Sequence, residues 1–323
     1  MPRPVSEIIE QSLIITEEDL LFKRLDLLLA HHFPQYSRSL LKNYFQQGHI
    51  TCSDQDLELK RLPPLGSEII LKIPPAQDYD IVAENIPLDI LFEDEYLLFV
   101  NKPAGMVVHP AAGNWQSTLV HALCYHCPDL KGIGNIKRPG IVHRLDKGTS
   151  GVMVVAKEQK CHQELIKIFS THQLIRRYHA LIFNQNDFSL NGKIETLFER
   201  SQHNRLKMTS RCSHGKVAKT FYQTLKQGEK LSLLELTLHT GRTHQIRVHL
   251  SERLNRAILN DELYGNVKQQ HQMLTPQQRD ILADYPHPLL HAQYLSLTHP
   301  MTQQKLEFSV PPPSPLQQLI ETL

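Results

Sequence analysis

FYQTLKQGEKLSLLELTL, residues 221–238, holds two strand candidates, Phe221–Leu225 and Leu231–Leu238, with no helix between them. A doubly wound parallel sheet needs a crossover helix between successive strands. This stretch therefore points to an α+β fold with a largely antiparallel sheet. Working outward, further strand candidates are Tyr96–Val100, Gly105–Val108, Val152–Ala156 and Tyr178–Phe183. Helices are predicted over Cys161–Phe169 and Thr243–Arg253. Together these make one large domain, residues 85–310. The segment 266–288, rich in Gln with Pro276, Pro286 and Pro288, reads as a surface excursion.

A smaller domain is predicted over residues 15–78, after a polar, loosely ordered lead-in at 1–19. Leu25, Leu28 and Leu29 have the spacing of a buried helical face. Ser37 suits the N-cap of a second helix carrying Leu40, Leu41, Tyr44 and Phe45, which Gly48 closes. Residues 49–74 suggest short strands around a Pro-Pro-Leu-Gly turn, and Pro74-Pro75-Ala76-Gln77-Asp78 reads as a linker.

Composition narrows the class. The chain has 323 residues, 41% hydrophobic and 21% charged, as expected of a soluble globular protein. No run of about 18 apolar residues exists to span a membrane, and the N-terminus lacks the features of a secretory signal. Five scattered cysteines, at 52, 124, 127, 161 and 212, do not read as a disulfide framework, so a cytoplasmic location is expected. Cys124-x-x-Cys127 has no second Cys or His pair at zinc spacing, so no metal site is assigned.

The net charge of +2 conceals a bias along the chain. Residues 131–182 hold ten Lys or Arg against three acids, and residues 201–220 add five bases and no acid. A polyanion would be drawn to those stretches, although solvated loops would look the same.

The densest chemistry lies in Gly140-Ile141-Val142-His143-Arg144-Leu145-Asp146-Lys147-Gly148-Thr149-Ser150-Gly151, directly before the strand VMVVA. A glycine-bounded loop set against a buried strand holds its central carboxylate rigidly at a surface. Asp in a loop is otherwise most often a turn former. HRLDKGTSG resembles the signature loop of the RluA-type pseudouridine synthases. Three more segments resemble that family in the same order: Asn101–Pro110 (NKPAGMVVHP, a strand–turn–strand), Arg177–Ile182 and Thr240–His249 (TGRTHQIRVH). With Leu290-His291-Ala292 and His299-Pro300, the resemblance covers roughly residues 95–300.

The resemblance implies isomerisation of uridine to pseudouridine in RNA, without a cofactor or metal, and assigns three catalytic positions. Asp146 would be the nucleophile. Tyr178 would stack on the flipped uracil, and Arg242 would pair with Asp146. A carboxylate nucleophile must be ionised though desolvated, and a neighbouring cation meets that need. Substrate contacts are expected from Arg144, His143, Ile246 and Arg247. Arg144 resembles the arginine that fills the gap left in the RNA stack.

In the smaller domain, Arg24-Leu25-Asp26, Ser37–Lys42 and Gly48-His49-Ile50 resemble the alpha-L RNA-binding motif. Arg24, Arg38 and Lys42 are its candidate phosphate contacts, with Arg38 and Lys42 on one helical face. Residues 1–80 carry twelve acids against eight bases, so any RNA contact there must be confined to one face.

This architecture looks like the members acting on large-subunit ribosomal RNA, as a monomer with RNA as its partner. Alternatives are a tRNA pseudouridine synthase and a non-catalytic RNA-binding assembly factor. A glycosidase-type hydrolase would need a second carboxylate near the first. The chain departs from the family at Gly148, where an acid is common. It departs again at Asn260-Asp261, where Gly-Asp is usual, and at His287-Pro288, where Arg-Gln is common.

Overall fold

The structure is a computed structural model and describes residues 9–34, 36, 38–73, 81–111, 113–135, 138–184 and 191–323. The expected N-cap Ser37 and the 74–78 linker lie outside those residues. The chain divides into two compact units, residues 1–80 and 81–323.

In the first unit, strands Ile9–Ile14, Glu68–Ile73 and Ile50–Cys52 form an antiparallel sheet, with Glu68–Ile73 central. Helices Leu25–His32 and Arg38–Gln46 complete it. Leu25, Leu28 and Leu29 are fully buried against Leu41, Ile50, Ile69 and Leu71, so the helical periodicity reads out the packing. The loose lead-in is corrected. Residues 9–14 are an edge strand whose backbone pairs from Ile9 with Ile73 to Ile14 with Glu68. Backbone pairing makes few demands on side chains at an edge, so a polar sequence concealed it.

In the second unit, ten strands among the described residues form one sheet. From one edge they run Met208–Thr209, Asn191–Arg200, Lys216–Gln227, Leu231–Leu238, Leu174–Phe183, Leu290–Thr298, Ser150–Ala156, Leu97–Lys102 and Asp89–Glu93. The tenth, Lys305–Ser309, pairs with Leu290–Thr298. Every neighbouring pair is antiparallel except Leu290–Thr298 with Ser150–Ala156, which run parallel through His291 opposite Ser150 and Ala292 opposite Gly151. At Gly151 φ is +120° and a Cβ would lie 2.2 Å from the Ala292 carbonyl, so only glycine admits this contact.

The mixed, mostly antiparallel sheet and the α+β class agree with the sequence. Ser150–Ala156 is buried throughout, as its unbroken apolar run requires of a central strand. Helix Gln159–Ser170 starts where the Glu158 carboxylate accepts hydrogen bonds from the Lys160 and Cys161 N–H groups. Its Cys161 and Leu165 are buried.

Three expectations are corrected here. Gly105–Val108 is a turn, not a strand, and Gly105 has a φ of +87°. The helix expected over 243–253 is a short α segment, Gln245–Val248, running into a wider π turn, His249–Arg253. His244 has a left-handed backbone (φ 59°), which delays the helix start. Segment 266–288 is no mere excursion. It contains helices Val267–Met273 and Pro276–Leu282, which Asn266 and Thr275 cap, and it buries Leu274 and Leu282. Thr275-Pro276-Gln277-Gln278 carries a capping box with Pro at the first helical position, a signal outweighed by the high Gln and Pro content.

The C-terminal helix Ser314–Glu321 packs Leu316 and Leu319 into the same core, so this unit continues past residue 310.

Candidate active site

The loop before Ser150–Ala156 is held from several sides. The Ser150 hydroxyl meets His291 Nδ1 at 2.9 Å, and His291 Nε2 faces the Val310 carbonyl at 3.1 Å. That second contact requires Nε2 to carry a proton, and burial, pushing His291 down to about 4, favours the neutral ring that leaves Nδ1 to accept from Ser150. Lys102 is fully buried. Its ammonium donates to the Pro103 and Met106 carbonyls at 2.8 and 2.9 Å, with the Lys147 carbonyl at 3.5 Å. The Gly105 N–H also donates to the Lys147 carbonyl at 2.8 Å. The NKPAG turn is thus fastened to the residue after Asp146. Burial brings the Lys102 pKa down to about 7, against the opposing pull of Asp146.

Asp146 faces a cleft of about 530 Å³, a size fit for a nucleoside. Tyr178, Arg242 and Ile246 border the same cleft, as do His143, Arg144 and Arg247. Tyr178 and Ile246 are buried in its wall, whereas Arg144 is exposed. Burial raises the Tyr178 hydroxyl; the Arg176 charge lowers it and Asp146 raises it further. His143 stacks on Phe169 (centroids 4.6 Å apart), and its Nε2 accepts the Val154 N–H at 3.1 Å. Burial, then the charge of Arg176, pushes His143 down to about 3. Its ring therefore pins the loop to the strand, and Nε2 is taken.

The cation beside Asp146 is Arg247, not Arg242. Arg247 Nη1 donates to Asp146 Oδ2 at 3.2 Å. Arg242 instead donates through Nε to the Val217 carbonyl at 3.0 Å. The reason is the late helix start, which leaves Arg242 outside the helix with its N–H on Gln245 Oε1. Arg247 lies inside the helix and reaches both ways. Its Nε and Nη2 also grip Asp261 at 2.7 and 2.9 Å, a bidentate contact with a carboxylate that has no solvent exposure. Burial alone would lower the Arg247 pKa, but the hydrogen bonds and charges of Asp261 and Asp146 raise it well above its ordinary value. Tyr264 lies beneath, with the Arg247 Cζ 5.1 Å from its ring centre. The Tyr264 hydroxyl meets His244 Nδ1 at 2.8 Å, and His244 Nε2 stands 3.9 Å from Asp146 Oδ1.

Sequence reasoning missed Asp261 as the anchor of Arg247. The signal was present in Asn260-Asp261, which stands where the family usually has Gly-Asp. Asn260 adopts φ 66°, a left-handed conformation that asparagine tolerates nearly as well as glycine. Its side-chain amide donates to the Tyr285 carbonyl at 2.6 Å. The other two departures meet each other. A Cβ on Gly148 would lie 2.7 Å from Pro288 Cδ, so the missing acid and the added proline fill one space.

In the first unit, Arg24 and Arg38 converge on one buried carboxylate. Arg24 Nε donates to Asp26 Oδ1 at 2.9 Å and Arg38 Nη2 to Asp26 Oδ2 at 2.6 Å. Both guanidinium groups keep one side in water, at 40% and 50% side-chain exposure, and Lys42 is exposed. Cys127 lies with Glu93 and His126. Lys157 already holds that glutamate at 2.6 Å, and burial with the Glu93 charge pushes the thiol up to about 11. Such a set is poorly prepared for a cation.

Residues 96–252 match the family described as RNA pseudouridylate synthase. The ribosomal large subunit pseudouridine synthase D of Zymomonas mobilis is 41% identical over 314 residues, covering 95% of each chain. Its namesake in Neisseria meningitidis serogroup B is 39% identical over 93% of this chain and 78% of its own. Among solved structures, human RNA pseudouridylate synthase domain containing 4 superposes with a TM-score of 0.55 at 27% identity. That match covers 72% of this chain and 92% of the human one. A partly exposed carboxylate on a pinned loop, an arginine shared with a buried acid and a tyrosine in the cleft wall thus occur in a chain that belongs to the RNA pseudouridylate synthase family, enzymes that isomerise uridine in RNA.

Proposed function

We propose that this enzyme modifies large-subunit ribosomal RNA and that Asp146 is its nucleophile. The observation that carries the chemistry is the position of Asp146. One carboxylate oxygen is held by Arg247, and the side chain, 17% exposed, faces a cleft of nucleoside size. In this reading a uridine is extruded from the RNA, at a cost of a few kcal/mol in lost stacking. Asp146 then acts at the ribose, by attack on C1′ or by removing a neighbouring proton. The N1–C1′ bond breaks, the uracil turns, C5 bonds to C1′ as Asp146 is set free, and the C5 proton leaves while N1 takes one up. Nothing is oxidised or reduced, so the chain's own side chains suffice for the balance. Tyr178 and Ile246 flank the base, and Arg144, exposed at the cleft mouth, fills the gap in the stack.

The ribosomal substrate is supported by the relatives named above. Residues 24–42 supply a second RNA contact, with Arg24, Arg38 and Lys42 meeting phosphates. The enzyme acts as a monomer in the cytoplasm.

Release of tritium from large-subunit rRNA labelled at uridine C5 tests both parts. Wild type is expected to release it, and Asp146→Asn to lose on the order of 10⁴-fold or more in rate, as for removal of a nucleophile elsewhere. Release from tRNA alone would overturn the substrate. Undiminished release by Asp146→Asn would overturn the nucleophile.

A further inference from the structure

The cleft wall holds a second cation that the chemistry above leaves unused. Arg176 precedes Tyr178 by two residues on Leu174–Phe183, so strand alternation turns both side chains to the cleft. Arg176 is 8% exposed, yet no carboxylate among the described residues pairs with it, and its Nε has no hydrogen-bond partner. Its Cζ lies 5.5 Å from the Phe169 ring centre. A Cβ on Gly241 would stand 2.7 Å from its Nη1, so the absence of a side chain there gives the guanidinium its place. Asp146 is engaged by Arg247, and Tyr178, whose hydroxyl burial pushes up, offers a neutral neighbour.

A desolvated guanidinium with a bare donor is unfavourable by itself. The balance is restored if its anion arrives with the ligand. Uracil is neutral and ribose is neutral, so the anionic part of an RNA substrate is its phosphodiester. The planar guanidinium matches that group's oxygens, and the buried setting strengthens the contact. We propose that Arg176 binds a backbone phosphodiester adjoining the extruded uridine, fixing the depth at which the nucleotide sits beside Asp146. This rests on the reading of the cleft as the uridine site.

The test is RNA binding across a salt series, in an Asp146→Asn background so that nothing turns over. It compares Arg176, Arg176→Lys and Arg176→Met on one rRNA fragment. Arg176→Met is expected to flatten the slope of log K against log salt by about 0.7–0.9, the signature of one lost phosphate contact. Arg176→Lys is expected to keep the slope while binding more weakly. The melting temperature of Arg176→Met should equal or exceed that of its parent, because an uncompensated buried charge has gone. Gly241→Ala, which crowds Nη1, provides a second variant and should flatten the slope in the same way. An unchanged slope in both variants, or a lowered melting temperature in Arg176→Met with the slope intact, would overturn the proposal. Because the slope is read without turnover, it stands or falls separately from tritium release.

Discussion

Arg247 and Arg176 border the same cleft and are both largely buried, but their surroundings differ. Arg247 bridges two carboxylates, one fully buried and one facing the cleft. Arg176 rests on an aromatic ring, with no acid among the described residues paired to it. The contrast separates two uses of a buried cation. Where the protein supplies the counter-charges, the arginine fixes geometry, because moving it would expose or strand Asp261. Where the protein supplies none, the site retains binding capacity for a charge that comes from outside.

Acid gives the broadest challenge to this arrangement, and it begins on the Arg176 side. His143 is depressed to about 3 by burial and then by Arg176, while burial foremost brings His109, His249 and His291 to about 4. An unfolded histidine takes up its proton near 6.5 and these folded ones do not, so the unfolded state binds more protons below that pH. Stability is therefore expected to be intact above about pH 6.5 and to fall towards pH 4, by on the order of 2 kcal/mol per histidine at pH 5. Urea midpoints from pH 7 to 4.5 would show it. A flat profile would mean that these rings titrate normally. Arg176→Met should lose less than wild type, since His143 no longer faces a positive charge.

The paired side is challenged by Arg247→Met. Removing the shared cation leaves Asp261 buried without compensation, for which about 3–5 kcal/mol of lost stability is expected. Denaturant unfolding would measure it, and a loss below about 1 kcal/mol would show that the bridge is not the anchor described here.

The smallest effect probes the loop that carries Asp146. Gly148→Asp brings back the residue type common in the family but forces a Cβ against Pro288, at an expected cost of about 1–3 kcal/mol. Placing Pro288→Gln beside it should recover most of that loss. A double-mutant cycle without coupling would show that the two positions do not share a space.

These two arginines also mark how far the sequence could be read. Leu231–Leu238 forms over its predicted residues, because alternation and an apolar run are properties of the segment itself. The glycine-bounded Asp146 loop was legible for the same reason. The partner of Asp146 was not. Arg242 and Arg247 lie in one motif, and the choice between them depends on a left-handed His244 and on Asp261, fourteen residues farther on. A strand predicted to begin at Tyr178 leaves Arg176 outside it, whereas the strand runs from Leu174. Extended two residues back, the same alternation puts Arg176 on the face of Tyr178. Helices Val267–Met273 and Pro276–Leu282 were hidden by composition although their caps were visible.

The parallel pairing of Leu290–Thr298 with Ser150–Ala156 bears on when the enzyme can become active. Ser150 and its partner His291 are separated by 141 positions. At ~5–20 residues per second, the chain that secures the nucleophile loop is synthesised roughly 7–28 s after the loop itself. A nascent chain still lacking that strand has the contacts of Lys102, Gly105 and His143 on its loop but not the Ser150–His291 clamp. The clamp on the nucleophile loop is thus completed only once Leu290–Thr298 has been made.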